Sequence, residues 1–471
     1  MNQEEAPLFE ALCFHKDQNR GNYHVPGHKQ GKAFDPLGRE LFGDLLTIDL
    51  TEIAALDDLH QPEGVIRQAQ ELAAAAFGAD RTFFLVGGST AGNISLILAA
   101  CQPGDQLIIH RASHQSVFNG CHLAGVRPVF LSGRGDVPLG GEITVEDLEE
   151  AILRHPGVKG VFLTSPDYFG RLQPISQLAK ICHRHGLPLM VDEAHGAHFQ
   201  FHPHLPPPAL AQGADGVVQS THKMLTAMTM GSMLHLKGSR LDRDRVAKGL
   251  GMIQSSSPSY PLMASLDLAR RLMVTGGQKQ LQKTLHQASL IREQVAGMRH
   301  LQEEVQPEGD PLKLNIRADR RISGYKMLKW LEKQGIDPEL ADHEKVLFVL
   351  SPGMEGEESI RLIEALHRLD QAIPGWEEDP RQPVPDIPVL SESYLSWDRL
   401  RSVAGETVSL PQAEGRMAAE MVVPYPPGVP SVLPGEMLNA EQIRHILHTL
   451  DKGGRVRGLT PGFPPGLHVI K

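Results

Sequence analysis

The chain has 471 residues, of which 41% are hydrophobic, 22% charged and 5% aromatic, and its formal net charge is −10. These values are typical of a globular protein that is long enough for two domains with substantial cores. The acidic balance, without a basic cluster, argues against nucleic acid and anionic membranes as partners and favours a small cationic ligand.

The amino-terminal residues show no leader pattern, and no later apolar run reaches the roughly 18 residues that span a bilayer. We therefore expect a cytoplasmic protein. The cysteines are widely separated and include no C-x-x-C pair, so we expect reduced thiols and no thiolate metal site. They are Cys13, Cys101, Cys121 and Cys182.

From residue 82 onward, short apolar or β-branched runs alternate with helical patterns, which predicts βαβ units and a mainly parallel sheet. The seven predicted strands are Thr82–Val86, Gln106–His110, Pro128–Leu131, Gly160–Thr164, Leu187–Asp192, Gly216–Gln219 and Ser232–Leu236. Helices are predicted at Ala91–Ala100 and at Thr144–Arg154, where a Thr-x-x-Asp capping pattern opens the helix. Ligand-binding residues are expected just after the carboxyl ends of the strands.

After about residue 300 the alternation restarts on a smaller scale and predicts a second α/β domain. Its expected elements are strands Leu312–Ile316 and Lys345–Leu350 and helices Tyr325–Lys333, Glu358–Leu369 and Ala440–Asp451. Prolines between 374 and 388 predict an extended connector. We therefore expect an N-terminal arm over 1–45, a large domain over 46–300 and a small C-terminal domain over 301–471.

A lysine lies in the loop that follows the sixth predicted strand, within Gln219-Ser-Thr-His-Lys223. The amine of a lysine forms a Schiff base with a carbonyl cofactor when its neighbours and desolvation lower its pKa from about 10.4. Beside His222 and Ser220, Lys223 is poorly explained as a surface charge. A solvated loop lysine is nevertheless the common interpretation of any single lysine.

The run Val191-Asp-Glu-Ala-His-Gly-Ala-His198 begins at the end of the fifth strand and places Asp192 at the edge of the sheet. A carboxylate there can pair with the protonated pyridine nitrogen of a cofactor ring. Asp192, His195 and His198 also have the donor types and short spacing of a metal-ligand set. In a third interpretation the two histidines are hydrogen-bonded loop residues, and this stretch alone gives the three interpretations comparable weight.

A glycine-rich turn, Gly87-Gly-Ser-Thr-Ala-Gly-Asn93, joins the first strand to a helix. Gly88 permits close backbone approach, Ser89 and Thr90 supply hydroxyls, and the free N–H groups of the helix start favour a phosphate. The turn matches neither the dinucleotide nor the Walker pattern. His114 follows the next strand, where it could stack on a planar ring. A phosphate turn, a histidine, a carboxylate and a lysine thus follow successive strands of one sheet.

This combination resembles the Orn/Lys/Arg decarboxylase family of pyridoxal-phosphate (PLP) enzymes, which have the aspartate-aminotransferase-like fold of type I. The resemblance covers nearly the whole chain, and Ser-x-His-Lys together with Pro-Tyr-Pro-Pro-Gly is specific to this family within that fold. The motifs are His24-Val-Pro-Gly-His-Lys29, Gly88-Ser-Thr90, Val191-Asp-Glu-Ala-His195, Ser220-Thr-His-Lys223, Ser255-Ser-Ser-Pro-Ser-Tyr-Pro261, Pro424-Tyr-Pro-Pro-Gly-Val-Pro430 and Leu433-Pro-Gly-Glu436. The implied fold is a mainly parallel seven-stranded sheet with helices on both faces and a smaller C-terminal α/β domain.

The resemblance implies that Lys223 holds PLP covalently, that Asp192 contacts its pyridine nitrogen and that His114 stacks on its ring. His222 is expected to contact the substrate and forms the catalytic set with Lys223 and Asp192. The implied cofactor-binding set, with no metal, is Lys223, Asp192, His114, Gly88, Ser89, Thr90, Ser220, His195 and Ser255. Ser255 resembles a hydroxyl residue that reaches the neighbouring subunit's phosphate, so we expect a homodimer or a multiple of dimers.

The implied reaction is decarboxylation of arginine, lysine or ornithine to agmatine or a diamine for polyamine synthesis, with a slight preference for arginine. An aminotransferase or lyase of the same fold is the nearest alternative, and a metal-dependent hydrolase is a distant third. Large members of the family carry an extra amino-terminal wing domain, which this chain is expected to lack. Glu436 is either a contact for a cationic tail or a backbone-capping carboxylate, and Asp167 stands where we expect a neutral side chain.

Overall fold

The computed structural model describes residues 2–18, 20–134, 141–379, 390–392, 397, 403–425, 428–462 and 464–471. The chain forms two compact units, which are residues 1–100 with 190–281, and 101–189 with 282–471. The predicted boundaries near residues 45 and 300 remain predictions. None of the described helices is long and apolar enough to cross a membrane.

The helices are named in chain order. They are α1 (Pro7–Asp17), α2 (Pro36–Thr47), α3 (Val65–Phe77), α4 (Gly88–Ala100), α5 (Gln115–Ala124), α6 (Val145–Arg154), α7 (Ile175–Arg184), α8 (Thr221–Met224), α9 (Arg243–Ile253), α10 (Tyr260–Leu272), α11 (Gln278–Ala296), α12 (Gly324–Lys333), α13 (Gly356–Ala372) and α14 (Ala440–Asp451).

The strands are named in the same way. They are β1 (Arg81–Leu85), β2 (Gln106–His110), β3 (Arg127–Leu131), β4 (Val158–Thr164), β5 (Leu189–Asp192), β6 (Gly216–Gln219), β7 (Ser232–Leu236), β8 (Leu301–Glu303), β9 (Lys313–Ala318), β10 (Leu340–Ala341), β11 (Lys345–Val349), β12 (Leu390–Glu392), β13 (Gly405–Ser409), β14 (Val423–Pro424), β15 (Val456–Arg457) and β16 (Gly466–Ile470).

In the first unit, β5 runs parallel to β6, and β7 runs antiparallel to both β6 and β1. All residues of β5, β6 and β7 are buried, as expected for strands that are covered on both faces. Helices α1, α3 and α10 contribute to a core that includes Leu8, Leu12, Ile66, Phe77 and Leu266. The sheet edge where β5 and β6 end is also the edge where β7 begins.

In the second unit, β2 runs parallel to β3 and β4, and β12 pairs antiparallel with β3. A separate antiparallel sheet has the order β10-β11-β9-β8, and the C-terminal residues add the pairs β13-β16 and β14-β15. A core of Leu410, Val422, Ile446, Leu467 and Val469 lies between these last elements and α14.

The predicted fold class is confirmed: all seven predicted strands are present, together with helices and a smaller C-terminal domain. Helix α4 starts at Gly88 rather than Ala91 because the glycine-rich turn itself forms its first turn. Thr144 caps α6 by accepting the Asp147 N–H at 3.1 Å. Pro374 lies in a short 3₁₀ helix, Ile373–Gly375, whereas the prolines at 380–388 fall outside the described residues.

Candidate active site

Three serine hydroxyls meet at the N-terminus of α4, and we call them the hydroxyl cluster. Ser89 Oγ lies 2.7 Å from Ser220 Oγ and 3.3 Å from Ser232 Oγ. Gly88 has φ of 69°, a left-handed conformation that favours glycine, and it directs the chain from β1 into the helix. Hydroxyl donors beside the positive end of a helix dipole are well suited to a phosphate.

Asp192, the last residue of β5, is only 3% exposed. Its Oδ2 accepts a hydrogen bond from Asn93 Nδ2 at 2.8 Å, and its Oδ1 accepts one from the Ala194 N–H at 3.1 Å. Asn93 lies on α4, so the helix that begins at the hydroxyl cluster also orients the carboxylate. A fixed, buried carboxylate of this kind can pair with a protonated ring nitrogen.

Lys223 lies on the short helix α8, which follows β6. Its half-buried Nζ is 3.0 Å from His195 Nε2, on the loop that follows β5. A neutral imidazole at this distance can accept a proton from the lysine ammonium, which leaves the amine able to attack a carbonyl carbon. The first unit therefore contains the predicted nucleophile, carboxylate and hydroxyls.

His222 is anchored through one side of its ring. Its Nδ1 donates to the Gly231 carbonyl at 2.9 Å, and its backbone N–H donates to the same oxygen at 3.1 Å. Since Nδ1 carries the hydrogen, Nε2 is the ring atom that can accept a proton when the ring is neutral. This orientation suits the expected contact between His222 and a substrate.

His114 belongs to the second unit, where it caps α5. Its Nδ1 accepts from the Ser116 N–H at 3.2 Å and lies 2.9 Å from Ser116 Oγ. Gly428, from the Pro-Tyr-Pro-Pro-Gly motif, accepts a hydrogen bond from the Gln115 N–H at 3.1 Å. A Cβ at Gly428 would lie 3.2 Å from the His114 ring, so the glycine permits close contact there.

An ion pair in the second unit joins the buried Arg111 to the partly exposed Glu436. Arg111 follows β2, is 0% exposed, and donates from Nε and Nη2 to the two Glu436 carboxylate oxygens at 3.2 and 3.1 Å. Arg111 Nη1 also donates to the Pro430 carbonyl at 2.7 Å, and Glu436 accepts the Leu433 N–H at 2.8 Å. Glu436 therefore caps a backbone N–H and pairs with Arg111, and its contact with a cationic tail stays a prediction.

The amino-acid sequence matches two known family patterns. The pattern described as "Orn/Lys/Arg decarboxylase, major domain" matches residues 6–308, and "Orn/Lys/Arg decarboxylase, C-terminal domain" matches residues 392–471. The chain belongs to the Orn/Lys/Arg decarboxylase family. The predicted family and its reaction, decarboxylation of a basic amino acid by a carboxy-lyase, are thereby confirmed.

The chain is also similar to individual proteins. The decarboxylase is 41% identical to "Uncharacterized protein YaaO" of Bacillus subtilis, with 96% of each chain covered. It is 36% identical to the arginine decarboxylase of Bacillus subtilis, covering 100% of this chain and 99% of the relative. It is 24% identical to the constitutive lysine decarboxylase of Escherichia coli, covering 99% of this chain and 80% of the relative.

Solved structures show the same fold. The lysine decarboxylase LdcF of Francisella novicida matches with a TM-score of 0.83 at 20% identity, over 99% of this chain and 81% of that one. The constitutive lysine decarboxylase of Escherichia coli matches with a TM-score of 0.82 at 21% identity, over 99% and 82% of the two chains. At these identities the likeness supports the fold alone.

Asp167 has a structural role in the decarboxylase. Its Oδ1 accepts the N–H groups of Phe169 and Arg171, both at 2.9 Å, and so closes the turn after β4. Arg171 continues to Glu304, which also binds Lys345 at 2.8 Å. These contacts explain an acidic residue at a position where we expected a neutral one.

Two predicted cofactor-binding residues, Thr90 and Ser255, are exposed in the single chain. The Ser255 carbonyl accepts a hydrogen bond from His60 Nε2 at 2.8 Å, and its hydroxyl accepts the Ser257 N–H at 3.1 Å within the same exposed loop. Their predicted phosphate contacts remain predictions. Among the described residues no group of three or more His, Cys, Asp or Glu side chains could hold a metal, so Asp192, His195 and His198 form no such set.

Three features of the site were missed in the sequence. Ser232 completes the hydroxyl cluster because β7 begins at the edge where β6 ends, and its antiparallel direction was not predicted. Asn93 stood in the glycine-rich turn without an assigned role, although its spacing from Ser89 on one helix face was a usable signal. The Arg111–Glu436 pair joins residues 325 positions apart, which no local pattern indicates.

Proposed function

We propose that this decarboxylase uses PLP to convert arginine to agmatine. Lys223 beside His195 in the unit that also holds Asp192 and the hydroxyl cluster is the observation that carries the proposal. The residues fit the cofactor, since an aldehyde, a pyridine nitrogen and a phosphate each have a matching group. PLP, when bound, accepts the electron pair released as the bond between Cα and the carboxylate breaks.

Each residue of the chain would then have one task. The Lys223 amine would hold the cofactor aldehyde, with His195 Nε2 holding the proton that the ammonium gives up. Asp192, fixed by Asn93 and Ala194, would keep a proton on the ring nitrogen. We assign the phosphate to Gly88, Ser89, Thr90 and Ser220, the stacking contact to His114 and the substrate contact to His222, as the resemblance implies.

Arginine is favoured by the relatives that match the chain over its full length. The arginine decarboxylases of Bacillus subtilis and Bacillus anthracis are 36% and 35% identical and are covered to 99% and 98% of their lengths. Lysine decarboxylases match at 24–25% identity with at most 80% of their lengths covered. Overall similarity to the arginine enzymes supports arginine over lysine or ornithine.

We also propose a cytoplasmic homodimer in polyamine synthesis, with Ser255 reaching the partner's phosphate. Exposure of Ser255 on its surface loop is compatible with such a contact. The free cysteines, of which Cys101, Cys121 and Cys182 are buried, suit a reducing compartment. The family matches at 6–308 and 392–471 support the predicted change of domain near residue 300.

Borohydride reduction of the PLP-loaded protein, followed by peptide mapping, tests the cofactor assignment. We expect the reduced adduct on Lys223, and an adduct on another lysine would contradict the assignment. Incubation with arginine, lysine and ornithine in separate assays tests the substrate. We expect carbon dioxide and agmatine from arginine at the highest kcat/KM; release of a 2-oxo acid would indicate an aminotransferase instead.

A further inference from the structure

A buried glutamine holds the turn that precedes the hydroxyl cluster. Gln254 is 7% exposed, and its Oε1 accepts the N–H groups of Val86 and Gly87 at 2.7 and 3.3 Å. Its Nε2 reaches the Phe84 carbonyl at 3.5 Å. Because two neighbouring backbone donors face one side of the amide, that side is the oxygen.

The N–H groups of Val86 and Gly87 lie between the end of β1 and the start of α4. Leu85 is the last residue of β1 in the ladder with β7, so Val86 and Gly87 lie beyond the hydrogen bonds of the sheet. Gly88 follows with its left-handed φ, and Ser89 then enters the hydroxyl cluster. The Gln254 oxygen therefore fixes the two peptide units that aim the start of α4.

Gln254 is itself held firmly. It is the C-cap of α9, and its backbone N–H donates to the Leu250 carbonyl at 2.8 Å. Helix α9 packs closely on α4, since a Cβ at Gly249 would lie 3.3 Å from Ser95 Cβ. On the other side of Gln254, the Ser255 carbonyl is fixed by His60. The amide thus projects from a rigid helix end onto the turn.

We propose that Gln254 is a positioning residue that sets the shape of the phosphate-binding turn of this decarboxylase. The inference rests on the proposed function, because it takes PLP as the molecule whose phosphate the turn receives. Gln254 acts through the backbone of Val86 and Gly87 and needs no contact with the cofactor. Its loss should therefore affect the phosphate and leave the rest of the cofactor's interactions intact.

Pyridoxal has the ring and aldehyde of PLP without the phosphate. Comparing the Kd values of the two ligands therefore isolates the contribution of the phosphate to binding. In full-length apoprotein we expect Gln254→Met to weaken PLP binding by about tenfold, a size that fits the loss of two hydrogen bonds. The Kd of pyridoxal should stay unchanged, so the ratio of the two Kd values is the readout. A general loss of structure would weaken both ligands together.

Gln173 provides a matched control, because it is also buried and bridges backbone groups. It accepts the Ile143 N–H at 2.9 Å and donates to the Gly141 carbonyl at 2.8 Å, on a different loop. We expect Gln173→Met to leave the Kd ratio at the wild-type value. A Gln254→Met protein that binds both ligands like wild type, or that loses both equally, would overturn the proposal.

Gln254→Glu is the second variant, to be measured if Gln254→Met does not fold. A glutamate retains an oxygen for the two N–H groups but adds a negative charge beside the turn. We expect selectively weaker PLP binding that added salt partly restores; an unchanged Kd ratio would overturn the inference. Wild-type protein with no borohydride adduct on Lys223 would reject the proposed function, whereas a labelled Lys223 with an unmoved ratio rejects only the role of Gln254.

Discussion

Two neighbouring acidic residues, Asp192 and Glu193, point to different sides of the sheet at the end of β5 and have different partners. Asp192 turns toward α4, where it meets Asn93. Glu193 accepts hydrogen bonds from the Ala209 N–H at 2.8 Å and from Gln219 Nε2 at 2.7 Å. We call these sides the α4 side and the α3 side.

The α3 side contains a buried chain of polar groups. Beyond Glu193 and Gln219, His235 Nε2 donates to Gln219 Oε1 at 3.1 Å, and His235 Nδ1 lies 2.8 Å from Thr82 Oγ1. The His235 ring stacks on Phe77 of α3 at 4.7 Å, and burial lowers its pKa to about 3. Each member has a partner within the chain, so we infer a structural role there.

The contrast shows that buried polar residues alone do not identify a site. The α4 side combines the hydroxyl cluster at a helix N-terminus with Asp192 and the half-buried amine of Lys223. This combination suits a ligand with several charged groups. On the α3 side the hydrogen bonds are internal to the protein. Variants on the α4 side should therefore lose chemistry, and variants on the α3 side should lose stability.

The largest effect is expected for Lys223→Ala, which removes the amine that would hold the cofactor. We expect arginine decarboxylation to fall by more than about a thousandfold, with little change in unfolding temperature. Carbon dioxide release and the absorption band of bound cofactor are the measurements. Lys237→Ala is the control, since Lys237 follows β7 and its Nζ donates to the Leu210 carbonyl at 3.5 Å. Retained activity in Lys223→Ala would show that the α4 side does not carry out the reaction.

Asp192→Asn should have the next largest effect. The amide keeps the size of the side chain and its fit beside Asn93, but it would not hold a proton on the ring nitrogen of the proposed cofactor. We expect kcat to fall by about a hundredfold with PLP still bound. Asp215→Asn, at another buried aspartate that pairs with Arg240 at 3.2 Å, should keep kcat. Equal kcat values for the two variants would show that ring protonation is controlled elsewhere.

Much of the fold follows from simple sequence patterns, because a strand covered on both faces must be apolar along its length. This is why runs such as Leu107–Ile109 and Val217–Val218, whose residues are fully buried, predicted strands. Lys223 was predictable as a residue that follows such a strand, and Asp192 as a residue that ends one. The sequence contains no comparable signal for Ser232, because its place depends on the antiparallel direction of β7.

The remaining differences between the predicted and the observed site arise from side-chain pairs that form only in the folded chain. The sequence left Glu436 open between a substrate contact and a cap, and only the fold brings it to Arg111. Alternation along a strand predicts that Asp192 and Glu193 face opposite sides, but not which side receives a ligand. That choice came from the resemblance to a family and not from the pattern of residues.

Gln219→Leu tests the α3 side by removing the middle of its chain. Glu193 Oε2 and His235 Nε2 would each lose a buried partner, which costs about 1–3 kcal/mol for each group. We expect the free energy of unfolding to fall by about 3 kcal/mol, measured by chemical denaturation, with kcat retained. Leucine at the exposed Gln177 is the control. Lost decarboxylation at unchanged stability would show that the α3 side takes part in the active site.

Per pH unit, the smallest effect comes from the titration of Glu193. Burial raises the pKa of Glu193 to about 8 from an ordinary 4.5, against hydrogen bonds from Gln219 and Ala209 that lower it. The folded protein therefore keeps a proton that the unfolded chain has lost between these two values. The contribution of Glu193 to stability is fully present below about pH 4.5 and is lost as pH rises through about 8.

Glu193→Gln removes this titration while keeping a neutral, hydrogen-bonding side chain. We expect the stability of wild type relative to the variant to fall by about 1 kcal/mol per pH unit across that window. His235 has a lowered pKa and titrates in the opposite sense, but it is present in both proteins and cancels in the difference. Glu71→Gln, at an exposed surface pair with Arg67, is the control for the substitution itself. If the difference between wild type and Glu193→Gln is independent of pH while kcat changes, the carboxyl of Glu193 belongs with Asp192 on the catalytic side.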